Sequence, residues 1–248
     1  MNYRLSRIAA ICGGKFSGCD SDVRSVVTDS RSLSCELGCR PMFVAMRGAN
    51  HDSHDFIAGM QSRGVRAFLV ERGVEASSCT GECGFVQVDN AIEALQRLAA
   101  YHRAQFRGTV VGITGSNGKT VIKEWIAEEL PEGMKYYRSP KSYNSQLGVP
   151  LSVLMLEGDE ELAIFEAGIS KPGEMERLER IIRPDAVIFT SIGDAHQENF
   201  INLEQKCDEK MILARSASKI IYHSYYEPLG RMVAAHFADR RPVDAAAY

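Results

Sequence analysis

Residues 109–130 read TVVGITGSNGKTVIKEWIAEEL, an apolar run that passes through Thr114-Gly115-Ser116-Asn117-Gly118-Lys119-Thr120 into a helical pattern. Backbone N–H groups in such a loop, Gly115, Ser116, Asn117 and Gly118 here, turn inward around phosphate oxygens, and the helix start adds the positive end of its dipole. Lys119 is placed to reach the outer phosphates and Thr120 to offer a hydroxyl to Mg²⁺, so the stretch reads as a nucleoside triphosphate site. It departs from the usual G-x-x-x-x-G-K-[ST] spacing: Ile113 stands where the first glycine belongs, Gly112 comes one residue early, and Gly115 is left to carry the turn. No Asn-Lys-x-Asp is present to select guanine, which makes ATP the default.

Later segments offer partners for such a loop. Leu162-Ala163-Ile164-Phe165-Glu166 is an apolar run ending in a carboxylate, the arrangement that sets an acid beside the Mg²⁺ of a phosphate loop, and Glu166 is the first metal-ligand candidate. The run 186–192 leads into Gly193-Asp194-Ala195-His196, where ligands gather beyond parallel strands; His196 is placed for metal or phosphate, or is a plain surface histidine. Lys206 and Lys210 lie four apart on a helical pattern and repel by a few tenths of a kcal/mol, about what like charges at that spacing cost. An anion or a chemical modification would neutralise one of them; otherwise they are two solvated lysines. Lys210 also borders the apolar stripe Leu203, Cys207, Met211, where desolvation would lower its pKa and make the amine reactive.

The elements that must position these groups are strands alternating with helices. Strands are expected at 42–46, 67–70, 84–88, 109–114, 162–166, 186–192 and 219–223, several of them near-continuous Val, Ile, Phe and Leu, as strands buried on both faces are. Asn90 with Glu93 reads as a capping box opening a helix through Leu95 and Leu98 to near Phe106, and Asn202 with Gln205 opens another. After Gly118, the helix is expected to turn Ile122, Trp125, Ile126 and Leu130 to the sheet. The pattern predicts an α/β fold with a mostly parallel sheet, divided near Arg107-Gly108 into an N-terminal domain, 1–106, and a second domain, 107–248.

Composition bounds the alternatives. In 248 residues, 45% hydrophobic and 25% charged content is ordinary for a globular chain, and 29 Lys plus Arg against 32 Asp plus Glu leave a net charge of −3, without the basic excess of a broad nucleic-acid surface. No apolar run approaches the roughly 18 residues of a membrane span, and residues 8–12 make too short an apolar segment for a signal peptide, so a cytoplasmic chain is expected. Seven cysteines, an odd number, then read as free thiols. Cys35/Cys39 and Cys79/Cys83 invite a zinc reading but lack the tight C-x-x-C knuckle.

Taken together, these residues resemble the Mur ligases, which extend the peptide stem of the bacterial cell-wall precursor. The loop at 114–120 is similar to that family's ATP loop, which also departs from the usual first glycine, and the resemblance spans nearly the whole chain. Thr28-Asp29-Ser30-Arg31, Met42-Phe43-Val44-Ala45-Met46-Arg47-Gly48 and His54-Asp55-Phe56 resemble the region that holds the UDP-sugar precursor, which implies substrate contacts at Ser30, Arg31, Gly48 and His54. That region is shared by the members adding the third residue and the terminal dipeptide. Ser142-Tyr143-Asn144-Ser145-Gln146-Leu147-Gly148-Val149-Pro150-Leu151 looks more like the second of these, with Asn144 kept at the nucleotide and Ser145 in place of a second asparagine.

The resemblance implies that Lys119 and Thr120 bind ATP and its magnesium, that Glu166 is a Mg²⁺ ligand, that His196 serves a second metal, and that Lys210 is the carbamylated lysine, a carbamate bridging metals beside Lys206. Lys119, Lys210 and His196 are then the expected catalytic groups. The reaction implied is phosphoryl transfer from ATP to the carboxylate of a UDP-N-acetylmuramoyl tripeptide, followed by attack of the D-alanyl-D-alanine amine on the acyl phosphate. The enzyme's part is mostly placement and charge neutralisation. The family's C-terminal domain is absent from these residues and the central sheet is expected to be short of its last strands, so a fragment is expected, inactive alone, whose parent could be fused to an alanine racemase. It is expected to be monomeric, with no nucleic-acid or membrane partner. Two rivals stand beside this reading: the folate polyglutamate-adding ligase, which lacks the N-terminal pattern, and a non-catalytic module that holds UDP-sugar or nucleotide.

Overall fold

The computed structural model describes residues 1–32, 40–48, 52–71, 82–193, 197–223 and 227–237. The chain forms two compact units, Met1–His102 and Arg103–Tyr248. Among the described residues, no helix is long and apolar enough to cross a membrane.

The first unit runs β1 (Tyr3–Arg4), α1 (Leu5–Cys12), β2 (Lys15–Gly18), β3 (Asp22–Val23), β4 (Ser25–Val27), β5 (Pro41–Val44), α2 (Ile57–Ser62), β6 (Ala67–Glu71), β7 (Gly84–Val88) and α3 (Ala91–Arg103), with one turn of 3₁₀ helix at Ser53–Phe56. Its five-stranded sheet is ordered β2-β7-β6-β5-β4, parallel from β4 to β7 with β2 antiparallel at the edge. In α1, Leu5, Ile8, Ala9 and Cys12 are buried, the spacing that presents one helical face to a core. Phe43, Phe68 and Phe85 fill the centre across three neighbouring strands, Phe68 stacked on Phe85 at 5.2 Å between centroids. The predicted cap of α3 forms: the Glu93 N–H donates to Asn90 Oδ1 at 3.0 Å.

The second unit continues with β8 (Thr109–Thr114), α4 (Lys119–Glu128), β9 (Tyr136–Arg138), α5 (Gly148–Val153), β10 (Leu162–Ala167), α6 (Glu174–Ile182), β11 (Ala186–Phe189), α7 (Leu203–Met211), β12 (Lys219–Ile221) and α8 (Glu227–Phe237). Its sheet, ordered β12-β11-β8-β10-β9, is parallel throughout. All six residues of β10 are buried, Glu166 among them, which is why the strand reads as an apolar run up to that carboxylate. The order places β8 in the middle, with the chain leaving it for the edge strand β9, coming back beside it as β10 and then crossing to its other side as β11. Parallel sheets bind ligands at such a switch point, beyond the strand's C-terminal end.

Three expectations need correction. The strand predicted at 186–192 stops at Phe189: the Thr190 N–H still donates to Thr114 O, at the end of β8, at 2.8 Å, but Ser191 pairs with the turn that follows, accepting the Ser116 N–H at 2.6 Å. Trp125 does not face the sheet but is 64% exposed, while Ile122, Ile126 and Leu130 do pack there; the buried neighbour on that side is Lys123. The helix expected to reach near Phe106 ends at Arg103, and Phe106 closes the following turn by donating its N–H to Arg103 O at 3.0 Å.

Cys12, Cys83 and Cys207 are buried free thiols and Cys19 is an exposed one; Cys35, Cys39 and Cys79, and with them both predicted zinc pairs, lie in part or wholly outside the described residues. Burial pushes the Cys12 thiol up to about 12. Since the thiolate is the nucleophile, Cys19 is expected to alkylate first and Cys12 last among these four, as peptide mass spectrometry with iodoacetamide on the native chain would read.

Candidate nucleotide site

The site is built where β8 ends. Thr114, the last residue of β8, donates its hydroxyl to Ala167 O at 2.9 Å, tying the ends of β8 and β10 together. Gly115 follows at φ +147°, and a Cβ there would sit 1.8 Å from Thr190 Oγ1, so glycine is required both by the backbone and by the space. Thr190 Oγ1 in turn donates to Asn117 O at 2.6 Å, and the Ser116 hydroxyl engages both the N–H and the carbonyl of Gly193 at 3.0 Å. Gly118 takes φ +82° as the residue before α4, which leaves the first N–H groups of that helix aimed into the turn. The predicted phosphate loop is thus a turn braced from the β11 side, with Gly115 in the place the unusual spacing assigned to it.

Lys119 is half-buried, and its Nζ donates back to Gly115 O at 2.9 Å and Ser116 O at 3.4 Å, across the mouth of the turn. Burial lowers its pKa, opposed by Glu166. Thr120 donates to Glu166 Oε2 at 3.1 Å, and Asn144 Nδ2 donates to the same oxygen at 3.4 Å. The β10–β8 register pairs Glu166 with Ile113, one step before the turn, which is how a strand-end acid comes beside a helix-start hydroxyl. A hydroxyl and a carboxylate so close are hard oxygen donors of the kind Mg²⁺ takes, with waters and phosphate completing its shell, so the residues fit that ion.

Lys210, on α7, is buried, and its Nζ donates to Gly115 O at 3.1 Å, the carbonyl that Lys119 also uses. Its pKa is lowered to about 7, first by burial and then by the charges of Lys119 and Lys206, against a small opposing effect of Cys207. Lys206 is equally buried, donates to Gly193 O at 2.5 Å and lies over the Phe200 ring. The two are therefore not a solvated pair. Their helix opens as predicted, with the Gln205 N–H on Asn202 Oδ1 at 2.8 Å. His196 lies outside the described residues.

Two features escaped the sequence. Lys123, fully buried, lies 2.9 Å from Glu166 Oε1 as an ion pair, without the alignment of a hydrogen bond. The signal for it was a lysine next to Ile122 and Ile126 on the sheet side of the helix. The other feature is a cavity of about 630 Å³ opening beside Asn117 and Gly118, walled by Val121, Trp125, Phe189 and Leu229.

In the first unit, the predicted substrate residues lie beyond the C-terminal ends of the parallel strands β4 and β5. Asp29 accepts the Arg31 guanidinium at 2.9 and 3.0 Å and its N–H at 2.9 Å, which holds the Asp29 carboxyl down to about 2; the Arg31 side chain is 88% exposed. Ser30 offers its carbonyl to Arg63, and Gly48 is exposed. His54 differs from these in being buried. Its Nε2 accepts the Glu71 N–H at 3.2 Å, so Nδ1 carries the proton it shares with Asp52, and both ring nitrogens are engaged within the unit.

A parallel sheet whose central strand runs through a glycine turn into a helix start, with a lysine across the turn and a threonine beside a buried carboxylate, defines a P-loop nucleotide-binding domain. Residues 113–235 match the Mur ligase middle domain, and the chain belongs to the Mur ligase family. It is 31% identical over 189 residues, 76% of its length and 40% of the relative's, to the UDP-N-acetylmuramoyl-tripeptide--D-alanyl-D-alanine ligase of Bacillus subtilis strain 168. The enzyme of the same name from Borreliella burgdorferi is 34% identical over 206 residues, 79% of this chain and 44% of that protein. Among solved structures, MurF from Acinetobacter baumannii superposes with a TM-score of 0.80 at 25% identity, over 93% of this chain and 52% of that one. MurF ligase from Thermotoga maritima in complex with ADP gives 0.74 at 29%, over 86% of this chain and 49% of that one. The chain thus spans less than half the length of these two curated relatives.

Proposed function

We propose that the chain is the uridine-substrate and ATP-holding part of a cytoplasmic ligase that joins D-alanyl-D-alanine to UDP-N-acetylmuramoyl tripeptide. The observation that carries the ATP half is the braced turn at Gly115 with the Thr120 and Glu166 oxygens 3.1 Å apart beside it. The names of the relatives support the substrate half. In this reading, the N–H groups of the turn and of the first turn of α4 bind the phosphates, and Lys119 leaves Gly115 O to meet them. The apolar cavity beside Gly118 takes the base, with Val121 and Phe189 as its walls. Thr120 and Glu166 hold Mg²⁺, which when bound neutralises charge on the phosphate oxygens. The tripeptide carboxylate attacks the γ-phosphorus and ADP leaves; the D-alanyl-D-alanine amine then attacks the acyl carbon and phosphate leaves. Neither step asks covalent chemistry of the protein, so placement and charge are its contribution. The 248 residues alone are proposed to hold their ligands without forming the amide bond.

Ser30, Arg31, Gly48 and His54 are proposed to frame the uridine substrate, His54 by holding Asp52 and the backbone of Glu71 in place. Calorimetry with UDP-N-acetylmuramoyl tripeptide should give saturable binding to the folded chain. No heat with that ligand, alongside normal nucleotide binding, would remove the cell-wall substrate and leave a nucleotide module. Phosphate released only when tripeptide and D-alanyl-D-alanine are both present would contradict the inactivity of the isolated 248 residues.

Lys210 is proposed to be carbamylated: the neutral amine adds CO₂, forming an N–C bond and releasing one proton. Its depressed pKa, about 7, leaves the amine neutral above that pH, and the charge of Lys119 nearby suits the resulting anion. With ¹³C-bicarbonate at about pH 8, a carbamate carbon signal should appear by NMR, fade as the pH falls through 7 and the amine takes its proton, vanish in Lys210→Met and survive in Lys206→Met. Survival of the signal in Lys210→Met would move the carbamate elsewhere.

A further inference from the structure

Lys123 has no place in the phosphate loop, yet it is buried completely, on the helix that the loop opens into. Its Nζ donates to Ser139 O at 2.7 Å and to Lys141 O at 2.6 Å, and it forms an ion pair with Glu166 Oε1 at 2.9 Å. Glu124 Oε1, half-exposed, is the outer neighbour at 3.4 Å. The carbonyls belong to an arch, residues 139–144, that is pinned to β10 on either side of Glu166. The Ser139 N–H donates to Ile164 O at 2.9 Å, and the Gly168 N–H to Asn144 O at 2.8 Å. At the crest, Lys141 adopts φ +49°, a left-handed conformation that a non-glycine residue holds only when its surroundings enforce it. The carbonyl of that residue is one of the two that accept from the Lys123 ammonium.

Two consequences follow for Glu166. A fully buried carboxylate needs a partner for each oxygen, and Lys123 takes Oε1, which turns Oε2 toward Thr120. The arch that Lys123 props from below also delivers Asn144 to that same Oε2. One ammonium thus sets the rotation of the carboxylate and the position of the loop that covers it.

We propose that Lys123 is the positioning residue of the Mg²⁺-bearing carboxylate: by binding Glu166 Oε1 and the 139–144 arch together, it presents Oε2 and Thr120 Oγ1 as one oxygen site. The inference rests on the Mg²⁺-nucleotide reading above. It acts through Glu166 and touches neither nucleotide nor metal, so its loss should remove the metal-dependent part of nucleotide affinity and spare the rest.

ADP binding to the 248-residue chain can be followed by the fluorescence of Trp125, its single tryptophan, which lines the cavity beside Gly118. Titrations run with EDTA and with Mg²⁺ separate the two parts, and electron paramagnetic resonance with Mn²⁺ and ADP reads metal affinity directly. In Lys123→Met, folded by circular dichroism, the tightening of ADP by Mg²⁺ should shrink by about tenfold or more, as loss of a metal ligand's supporting partner does, with the EDTA affinity unchanged. Mg²⁺ tightening that stays intact in that variant, or equal loss with and without metal, overturns the proposal. If Lys123→Met does not fold, Glu166→Gln is compared with Lys123→Met/Glu166→Gln, in which no carboxylate is left unpaired. Identical metal-free affinity and identical residual Mg²⁺ effect support a role exercised through Glu166. Any further loss in the double variant, or its failure to fold, assigns Lys123 to the core alone and overturns it. Absence of Mg²⁺ tightening in the unaltered chain overturns this inference and the magnesium part of the proposed function together, whereas an intact effect in Lys123→Met removes only Lys123.

Discussion

Gly115→Ala should unfold the second unit at a temperature about 10 °C lower and leave no measurable nucleotide binding. The added Cβ would stand 1.8 Å from Thr190 Oγ1, 2.9 Å from Thr190 Cβ and 3.0 Å from Ser191 O, on a backbone at φ +147° that suits glycine alone. Relief requires Thr190 to move, and Thr190 Oγ1 is the group that holds Asn117 O at 2.6 Å. The clash is therefore passed straight into the loop. Strain of this kind, with a displaced hydrogen bond, costs about 3 kcal/mol or more, which for a unit of this size is a shift on the order of 10 °C. Thr190→Ala in the Gly115→Ala background removes the nearest atom and should recover part of the loss. A thermal melt in which Gly115→Ala alone is neutral would mean that the turn does not have the described conformation.

Lys119→Met should weaken ATP and ADP binding by about 100-fold while leaving the melting temperature nearly unchanged. The side chain is half-buried, with its Nζ donating to two loop carbonyls, Gly115 O and Ser116 O. Methionine fills the same length, and the loop keeps its bracing through Thr190 and Ser116, so little structure is lost. What disappears is a charged donor to phosphate, for which about 3 kcal/mol is the upper range, equivalent to two powers of ten in affinity. A second readout separates this from a general loosening of the loop. The Lys119 charge is one of the causes that depress the Lys210 pKa, so removing it should raise that pKa above about 7. The carbamate signal of Lys210 should then begin to fade at a higher pH in Lys119→Met than in the unaltered chain. An unshifted profile with undiminished nucleotide binding would place the phosphates elsewhere.

How far the site could be read from sequence follows from which contacts are local. The turn after β8 was legible because its requirements fall on consecutive residues: a glycine where φ is positive, a lysine and threonine at the helix start, an apolar strand before them. Glu166 was legible as a strand-end acid, since parallel register carries β10 alongside β8 by the same rise per residue. The buried central strands β8 and β10 announced themselves as apolar runs, whereas the edge strand β9, three residues with only Tyr137 half-buried, has no such signature. Hydrophobicity alone puts Trp125 on the sheet, and charge alone keeps Lys123 off it. The helix reverses both, because Lys123 has carbonyl and carboxylate partners supplied by residues 139, 141 and 166, which no local pattern connects. The paired lysines of α7 stand out by their spacing, but the carbonyls that satisfy them when buried, Gly115 O and Gly193 O, come from beyond β8 and β11, far from them in sequence.

The central claim, that the braced turn after β8 is the nucleotide site, is tested most directly by a crystal structure of the chain with ADP and Mg²⁺. The β-phosphate should lie on the N–H groups between Gly115 and Thr120, with Lys119 Nζ moved from Gly115 O onto a phosphate oxygen, Mg²⁺ beside Thr120 and Glu166, and the adenine against Val121 and Phe189. ADP bound away from that turn, with Lys119 still on Gly115 O, would contradict the account.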